Sequence, residues 1–372
     1  MHPCCSGLVV LLLTGAALAQ PMIACEKVVL PPGGVSDLNP EGHRQVFAVE
    51  WDRRGVMYVG NRCDGFGRDV VLRSDDGGAT WRPAGPEGNW SLKVGPNEGG
   101  LRVHPADDRL LLLGIENRGV FLSRDAGDTW THALAGWTDG GIGHGFTFAF
   151  DPQDPARLYA SGGVGAFASD DAGHTWRRLP LPQSQTNTVA VDPRDPRRLF
   201  VGQTFRHGDL LRSTDRGATW STAAEGIPAG RVTPSGYPNR ATWLIVPSPH
   251  HADTLFAATS AGLFVSQDAA DTWRLLRPPP RPGVMSAALA LAPHPCDPRV
   301  LVAGEALGRV ILSTDGGDTW RDVTAQLPTG PMPHRRFGIR VTEIRFDPRD
   351  PDALYLARTD GLYRGRLGRM SL

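Results

Sequence analysis

One eight-residue phrase occurs six times in this chain, and that repeat constrains the fold more than any other feature. The copies run Ser74–Trp81, Ser123–Trp130, Ser169–Trp176, Ser213–Trp220, Ser266–Trp273 and Ser313–Trp320. Their shared pattern is Ser-x-Asp-x-Gly-x-Thr-Trp, with tryptophans 44 to 53 residues apart. A period of this size marks an array of similar supersecondary units. Each copy follows a short apolar run, such as Gly119–Leu122 or Arg309–Leu312, which places the phrase at a strand-to-strand turn. The aspartate can hydrogen-bond its own backbone two residues on, with the Ser and Thr hydroxyls adding weaker bonds. Glycine at the fifth position admits a positive φ. The tryptophan covers the turn and packs on the next unit, worth about 1.5–3 kcal/mol when buried. The fifth copy has Ala270 in place of glycine, so its turn is expected to be the loosest, at a strain of about 1 kcal/mol.

A second signal lies upstream of each phrase: an apolar strand ending in Asp-Pro or a relative, a short turn, then a strand of the Leu-Tyr-Val-Gly type. Phe148–Pro152 with Leu158–Ala160, and Val189–Pro193 with Leu199–Gly202, show it clearly. It occurs seven times, the last at Ile344–Pro348 with Leu354–Ala357. Seven units of four strands predict an all-β fold, a seven-bladed β-propeller of four-stranded antiparallel blades. The seventh unit has a third strand at Gly361–Arg364 but no fourth, and Glu26–Leu30 is expected to supply it. Closing the ring this way removes the unpaired edges of an open array. Six equivalent aspartates on a ring cannot converge on one substrate, so Asp76, Asp125, Asp171, Asp215, Asp268 and Asp315 are read as structural.

Residues 8–19 form an apolar run too short to span a bilayer, ending in the small-residue pattern Ala17-Leu-Ala19. Residues 1–19 are therefore read as a signal peptide, with 20–372 as a single propeller exported to the periplasm or secreted. A lipid anchor at Cys25 is the lesser alternative, since Met22 stands where such signals usually carry leucine. No later stretch is apolar enough to be a transmembrane segment. Formal charge is zero with the signs interspersed, which gives no electrostatic footprint for nucleic acid. Export permits disulfides among Cys25, Cys63 and Cys296, and Cys25 with Cys296 is a conceivable pair because both fall near one face. No CxxC or histidine-rich spacing suggests a metal, and no cofactor is expected. The chain is read as a monomer.

In this architecture the turn phrases occupy one face, and the loops joining second to third strands and blade to blade build the other. Loops on a rigid scaffold are where binding and chemistry concentrate. The residues singled out there for binding are Arg62, Arg118, Trp90, Trp137, His144, Arg206, His207, Tyr237 and Arg240. Trp90 and Trp137 could stack on a sugar or plug gaps between blades. Should the chain hydrolyse glycosides, Asp64, Glu116 and Asp139 are the first candidates for the carboxylates.

The turn phrase is the Asp-box, or BNR repeat, and the chain resembles Asp-box propellers: sialidases, xyloglucan-degrading hydrolases, the sortilin ectodomain, and photosystem II assembly and stability factors. Sialidases are six-bladed, with an Arg-Ile/Leu-Pro motif and a Tyr nucleophile paired with Glu. Here that motif is absent, and of Tyr58, Tyr159, Tyr237, Tyr355 and Tyr363 only Tyr237 lies in a loop. Xyloglucanases are nearer in blade number and box spacing, but hold substrate between two propellers. In layout the chain is most similar to the single seven-bladed assembly-factor propellers. That resemblance implies an exported, non-enzymatic binding or assembly propeller presenting its loop face to a protein or glycan partner. The alternative is a glycoside hydrolase, xyloglucanase-like rather than sialidase-like.

Overall fold

The computed structural model describes residues 23–32, 44–62, 65–90, 96–115, 118–133, 147–163, 165–182, 185–204, 208–230, 238–279, 290–328 and 339–368. They form seven four-stranded antiparallel sheets, each pairing its strands in blade order, and one small two-stranded sheet. The first strands of successive blades pack on one another around a ring. These first strands are Gln45–Trp51, Pro96–His104, Thr147–Phe150, Thr186–Val191, Thr242–Pro247, Ala290–Pro293 and Val341–Asp347 for blades 1 to 7. The expected ring closure is present, because Ile23–Val28 pairs with Gly361–Leu367 as the outer strand of blade 7. It begins three residues earlier than the expected Glu26–Leu30. Ile23 is the residue that fills the core there, while Val29 is exposed.

The blades are packed on both faces, so their middle strands are mostly buried and apolar instead of alternating. Leu255–Thr259 and Gly262–Ser266 of blade 5 are buried throughout. Seven apolar clusters result among the described residues, each spanning two adjacent blades. The phrase tryptophans join them: Trp176 packs with Leu110 and Leu112 of the preceding blade, and Trp273 with Ala223 and Ile227.

The turn phrase works differently from a two-residue Asx turn. Its aspartate reaches four residues on. In blade 4, Asp215 Oδ1 accepts from Thr219 N at 2.8 Å and Oδ2 from Thr219 Oγ1 at 2.6 Å, while Ser213 Oγ donates to Oδ1 at 2.7 Å. The same set recurs in all six copies. Donation by Thr80 and Thr219 holds the Asp76 and Asp215 carboxyls down to about 2. The fourth position also lies in the left-handed region, at Ala126, Ala172, Arg216 and Ala269, beside the fifth-position residues. Ala270 adopts φ 71°, yet its N–H donates to Ser266 Oγ at 2.8 Å like its glycine counterparts. The blade 5 turn is strained at that residue but not loosened.

On the same face, at the end of each first strand, a single residue organises the turn into the second, and the turn phrase bonds to that turn, as where Arg216 N donates to the Arg197 carbonyl at 2.9 Å. Asp52, Asp151, Asp192 and Asp347 accept backbone N–H groups two to four residues on. Ser248 does this through Oγ, and His104 and His294 through Nδ1. These seven equivalent positions fix the register of the first strands, and with it what each presents to the axis.

Candidate functional site

The second-to-third-strand loops and the blade connectors lie together on the face opposite the turn phrases. Arg62 stands there half-buried, its guanidinium 4.6 Å from the Phe47 ring centre. Arg118 is exposed, with its carbonyl 2.6 Å from His132 Nε2. Arg240 Nε donates to the Ile227 carbonyl at 3.0 Å, and its charge partly offsets the upward push of burial on the Asp209 carboxyl. Trp90 ends a short strand, Gly88–Trp90, paired with Gly65–Gly67 on this face. Asp64, Glu116, Asp139, Trp137, His144, Arg206, His207 and Tyr237 lie outside the described residues, as does Cys63. Cys25 and Cys296 are not joined to each other, so the conceivable bridge between them is not formed. Burial pushes the Cys25 thiol up to about 12, against the pull of Arg358.

A different cluster, not anticipated from the sequence, sits on the ring axis. Two residues before the turn-organising position, blades 7, 1 and 2 carry Arg345, Glu50 and Arg102, whereas blades 3 to 6 carry Ala149, Ala190, Val246 and Ala292. Glu343, two residues before Arg345, completes a quartet. Arg102 Nη1 lies 2.9 Å from Oε1 of Glu50 and 2.9 Å from Oε1 of Glu343. Arg345 binds the same two carboxylates, Glu343 through Nε at 3.2 Å and Glu50 through Nη2. The second Glu343 oxygen accepts from Val49 N at 2.8 Å. The signal was in the repeat itself: once the units are aligned, three adjacent blades show charge where four show small apolar residues.

Burial pushes the Glu50 carboxyl up, with Arg345 and Arg102 pulling the other way. Burial likewise opposes the Arg345 charge, but Glu50 and Glu343 outweigh it and hold the guanidinium protonated. Beside the quartet runs a channel of about 500 Å³, lined by Arg102, Glu343 and Arg345 on one side and by Leu244, Val246, Ala290 and Ala292 on another. Thr147, Asn187 and Trp243 line its loop-face end, Pro249 and Pro295 the other. No group of three metal-ligating side chains occurs among the described residues, and no helix there is long and apolar enough to cross a membrane.

No family model matches the chain. Curated proteins similar to it in sequence are xyloglucanases. A probable oligoxyloglucan-reducing end-specific xyloglucanase of Neosartorya fischeri is 28% identical over 327 residues, 83% of this chain and 37% of that protein. A xyloglucanase of Paenibacillus is 28% identical over 256 residues, 63% of this chain and 22% of that protein. The chain thus spans well under half the length of these relatives. Among solved structures, the GH74 enzyme of Niastella koreensis superposes with a TM-score of 0.63 at 18% identity, over 92% of this chain and 53% of that one. YCF48 of Cyanidioschyzon merolae gives 0.60 at 15%, over 92% and 98%. Both likenesses are of fold alone.

These findings correct the expectation of a non-enzymatic binding or assembly propeller. That expectation rested on layout, and the ring is shared equally with a GH74 enzyme and with YCF48, so layout cannot discriminate. Sequence similarity does discriminate, and it runs to xyloglucanases.

Proposed function

We propose that this chain is a glycoside hydrolase of the xyloglucanase kind, acting on xyloglucan or a related neutral polysaccharide. The observation that carries the reading is the sequence similarity to six curated proteins, each named a xyloglucanase. The reading includes membership of the Asp-box superfamily and export directed by residues 1–19, since a cell-wall polymer is met outside the cell.

Glycoside hydrolysis needs two carboxyl groups, about 5–5.5 Å apart for retention or about 6.5–9.5 Å for inversion. Asp64, Glu116 and Asp139 are the proposed source of that pair. Asp64 falls between Arg62 and Gly65 of blade 1, and Glu116 directly follows Ile115 of blade 2, so their neighbours share the loop face of adjacent blades. Glu50 and Glu343 suit the task poorly. Arg102 and Arg345 already bond to both carboxylates, so the pair is engaged in fastening the blades. Arg62, Arg118, Arg206, His144, His207, Tyr237 and Arg240 are proposed to bind sugar hydroxyls, and Trp90 and Trp137 to stack on sugar rings.

Mass spectrometry of xyloglucan and its oligosaccharides incubated with the purified protein tests this. Cleavage is expected, falling by about a hundredfold or more in at least one of Asp64→Asn, Glu116→Gln and Asp139→Asn. Intact substrate across xyloglucan and other neutral glucans sinks the proposal.

A further inference from the structure

The axial quartet is built more openly than an internal clasp requires. Its two carboxylates are nearly covered, with side chains 11% and 8% exposed at Glu50 and Glu343, while the guanidinium groups reach the channel at 18% for Arg102 and 38% for Arg345. Two positive and two negative charges cancel, so the wall offers oriented polar groups without a net charge to draw in an ion. Facing it, Leu244, Val246, Ala290 and Ala292 give a dry surface. Asn187 and Trp243 stand at the loop-face end, tied together where Asn187 Nδ2 donates to the Trp243 carbonyl at 2.9 Å.

We infer that the central channel is a binding site for a short neutral saccharide, held with hydroxyls on the Arg102 and Arg345 side and a C–H face on the Val246 side. A pyranose has this two-sided character, with polar edges and apolar faces. A volume of about 500 Å³ lies within the usual range of small-ligand sites, about 300–1,000 Å³. Forked guanidinium donors already fixed by carboxylates meet hydroxyl oxygens with little ordering cost. The inference rests on the glycan-degrading reading and adds to it a site distinct from the loop-face carboxylates. The occupant is either a free disaccharide or the end of a longer chain.

Calorimetric titration with cellobiose, and separately with a branched xyloglucan heptasaccharide, tests the inference and distinguishes the two sources. Cellobiose binding is expected in the wild type, weakened about tenfold or more by Val246→Phe, which fills the dry side without touching the quartet. Arg345→Lys, which keeps the charge and loses the fork, is expected to weaken it by a similar factor. Thermal melts accompany each variant, and Ala149→Leu replaces Val246→Phe should the latter fail to fold. Heptasaccharide binding that is equally sensitive to channel filling identifies the chain end as the occupant. Absence of cellobiose and heptasaccharide binding, or binding unmoved by channel filling, overturns the inference. Hydrolysis measured alongside separates the two proposals. Cleavage without channel-dependent binding removes only this site, whereas channel-dependent binding without cleavage removes only the hydrolase reading.

Discussion

Arg102 of blade 2 and Glu343 of blade 7 meet at 2.9 Å although 241 residues and the whole of blade 1 separate them. Glu50 of blade 1 bonds to the same arginine nitrogen, so three blades are fastened at the point where the ring closes. Thr342 adds to the fastening, its hydroxyl 2.9 Å from the Val46 carbonyl of blade 1. The outer seam is held by strand pairing and the inner seam by charge.

Removing one member of the quartet should therefore cost more than the pair was worth. Glu343→Gln leaves Arg102 and Arg345 short of a counter-charge in a largely dry site. Breaking a buried pair costs about 3–5 kcal/mol. Because Arg345 still reaches water, about 2–4 kcal/mol is expected, read as a lower denaturation midpoint in urea. Paired replacement of Glu343 and Arg102 by residues of similar shape should cost less than the sum of the single changes. Strict additivity would show that the two do not interact.

The ring was legible because its information is local and repeated. A box of eight residues carries its own hydrogen bonds, and the upstream strand pair recurs seven times, so blade number and closure follow from spacing. The axial quartet was not, since its members come from three strands spread over nearly 300 residues, and only Glu343 and Arg345 share a strand. Only alignment of the turn-organising residues Asp52, His104 and Asp347 brings Glu50, Arg102 and Arg345 into one ring position. The turn chemistry was half legible. Glycine announced positive φ at the fifth position, but Ala126, Ala172, Arg216 and Ala269 hide it at the fourth, where αL carries one residue at modest cost.

The junction of blades 4 and 5 offers two opposite backbone tests. Gly226 has φ 88°, and a Cβ added there would lie 2.2 Å from the Trp273 carbonyl oxygen, while Trp273 N donates to the Glu225 carbonyl at 2.8 Å. Gly226→Ala should cost about 2–4 kcal/mol, combining strain with displacement of a backbone contact. Ala270→Gly should be neutral to stabilising by about 1 kcal/mol, since relief of positive φ is partly offset by a freer unfolded chain. Thermal melts of the two variants moving in the same direction would contradict this account.

The turn phrases predict acid sensitivity at low pH. Asp76 and Asp215 have folded pKa values depressed to about 2 by donation from Thr80 and Thr219. A depressed carboxyl adds stability that is complete above its unfolded value, about 3.9, and is lost as pH falls toward 2. Asp215→Asn should flatten this part of the stability profile without altering saccharide binding at neutral pH. An unchanged slope between pH 4 and 2 would show that other carboxyls govern the acid transition.

His104 and His294 predict a second loss of stability at milder pH. Both occupy a position filled by aspartate in four blades, and each accepts two backbone N–H bonds through Nδ1, which requires an unprotonated nitrogen there. His104 Nε2 lies 2.8 Å from the Pro155 carbonyl, and Phe150 packs edge-on against the ring, with Asp107 and Arg53 the nearest charges. His294 packs edge-on against Phe346, facing Asp352, Asp297 and His250. Burial lowers both pKa values. The unfolded chain therefore binds protons first, and stability present above about pH 6.5 declines as pH falls below it. His104→Asp restores the acceptor found at Asp52 and Asp151 without a group that titrates in this range. Its melting temperature should fall less than that of the wild type between pH 7 and pH 5. Parallel curves would place the neutral-range dependence elsewhere, and histidine NMR titration of His104 and His294 would then show pKa values near those of free imidazole.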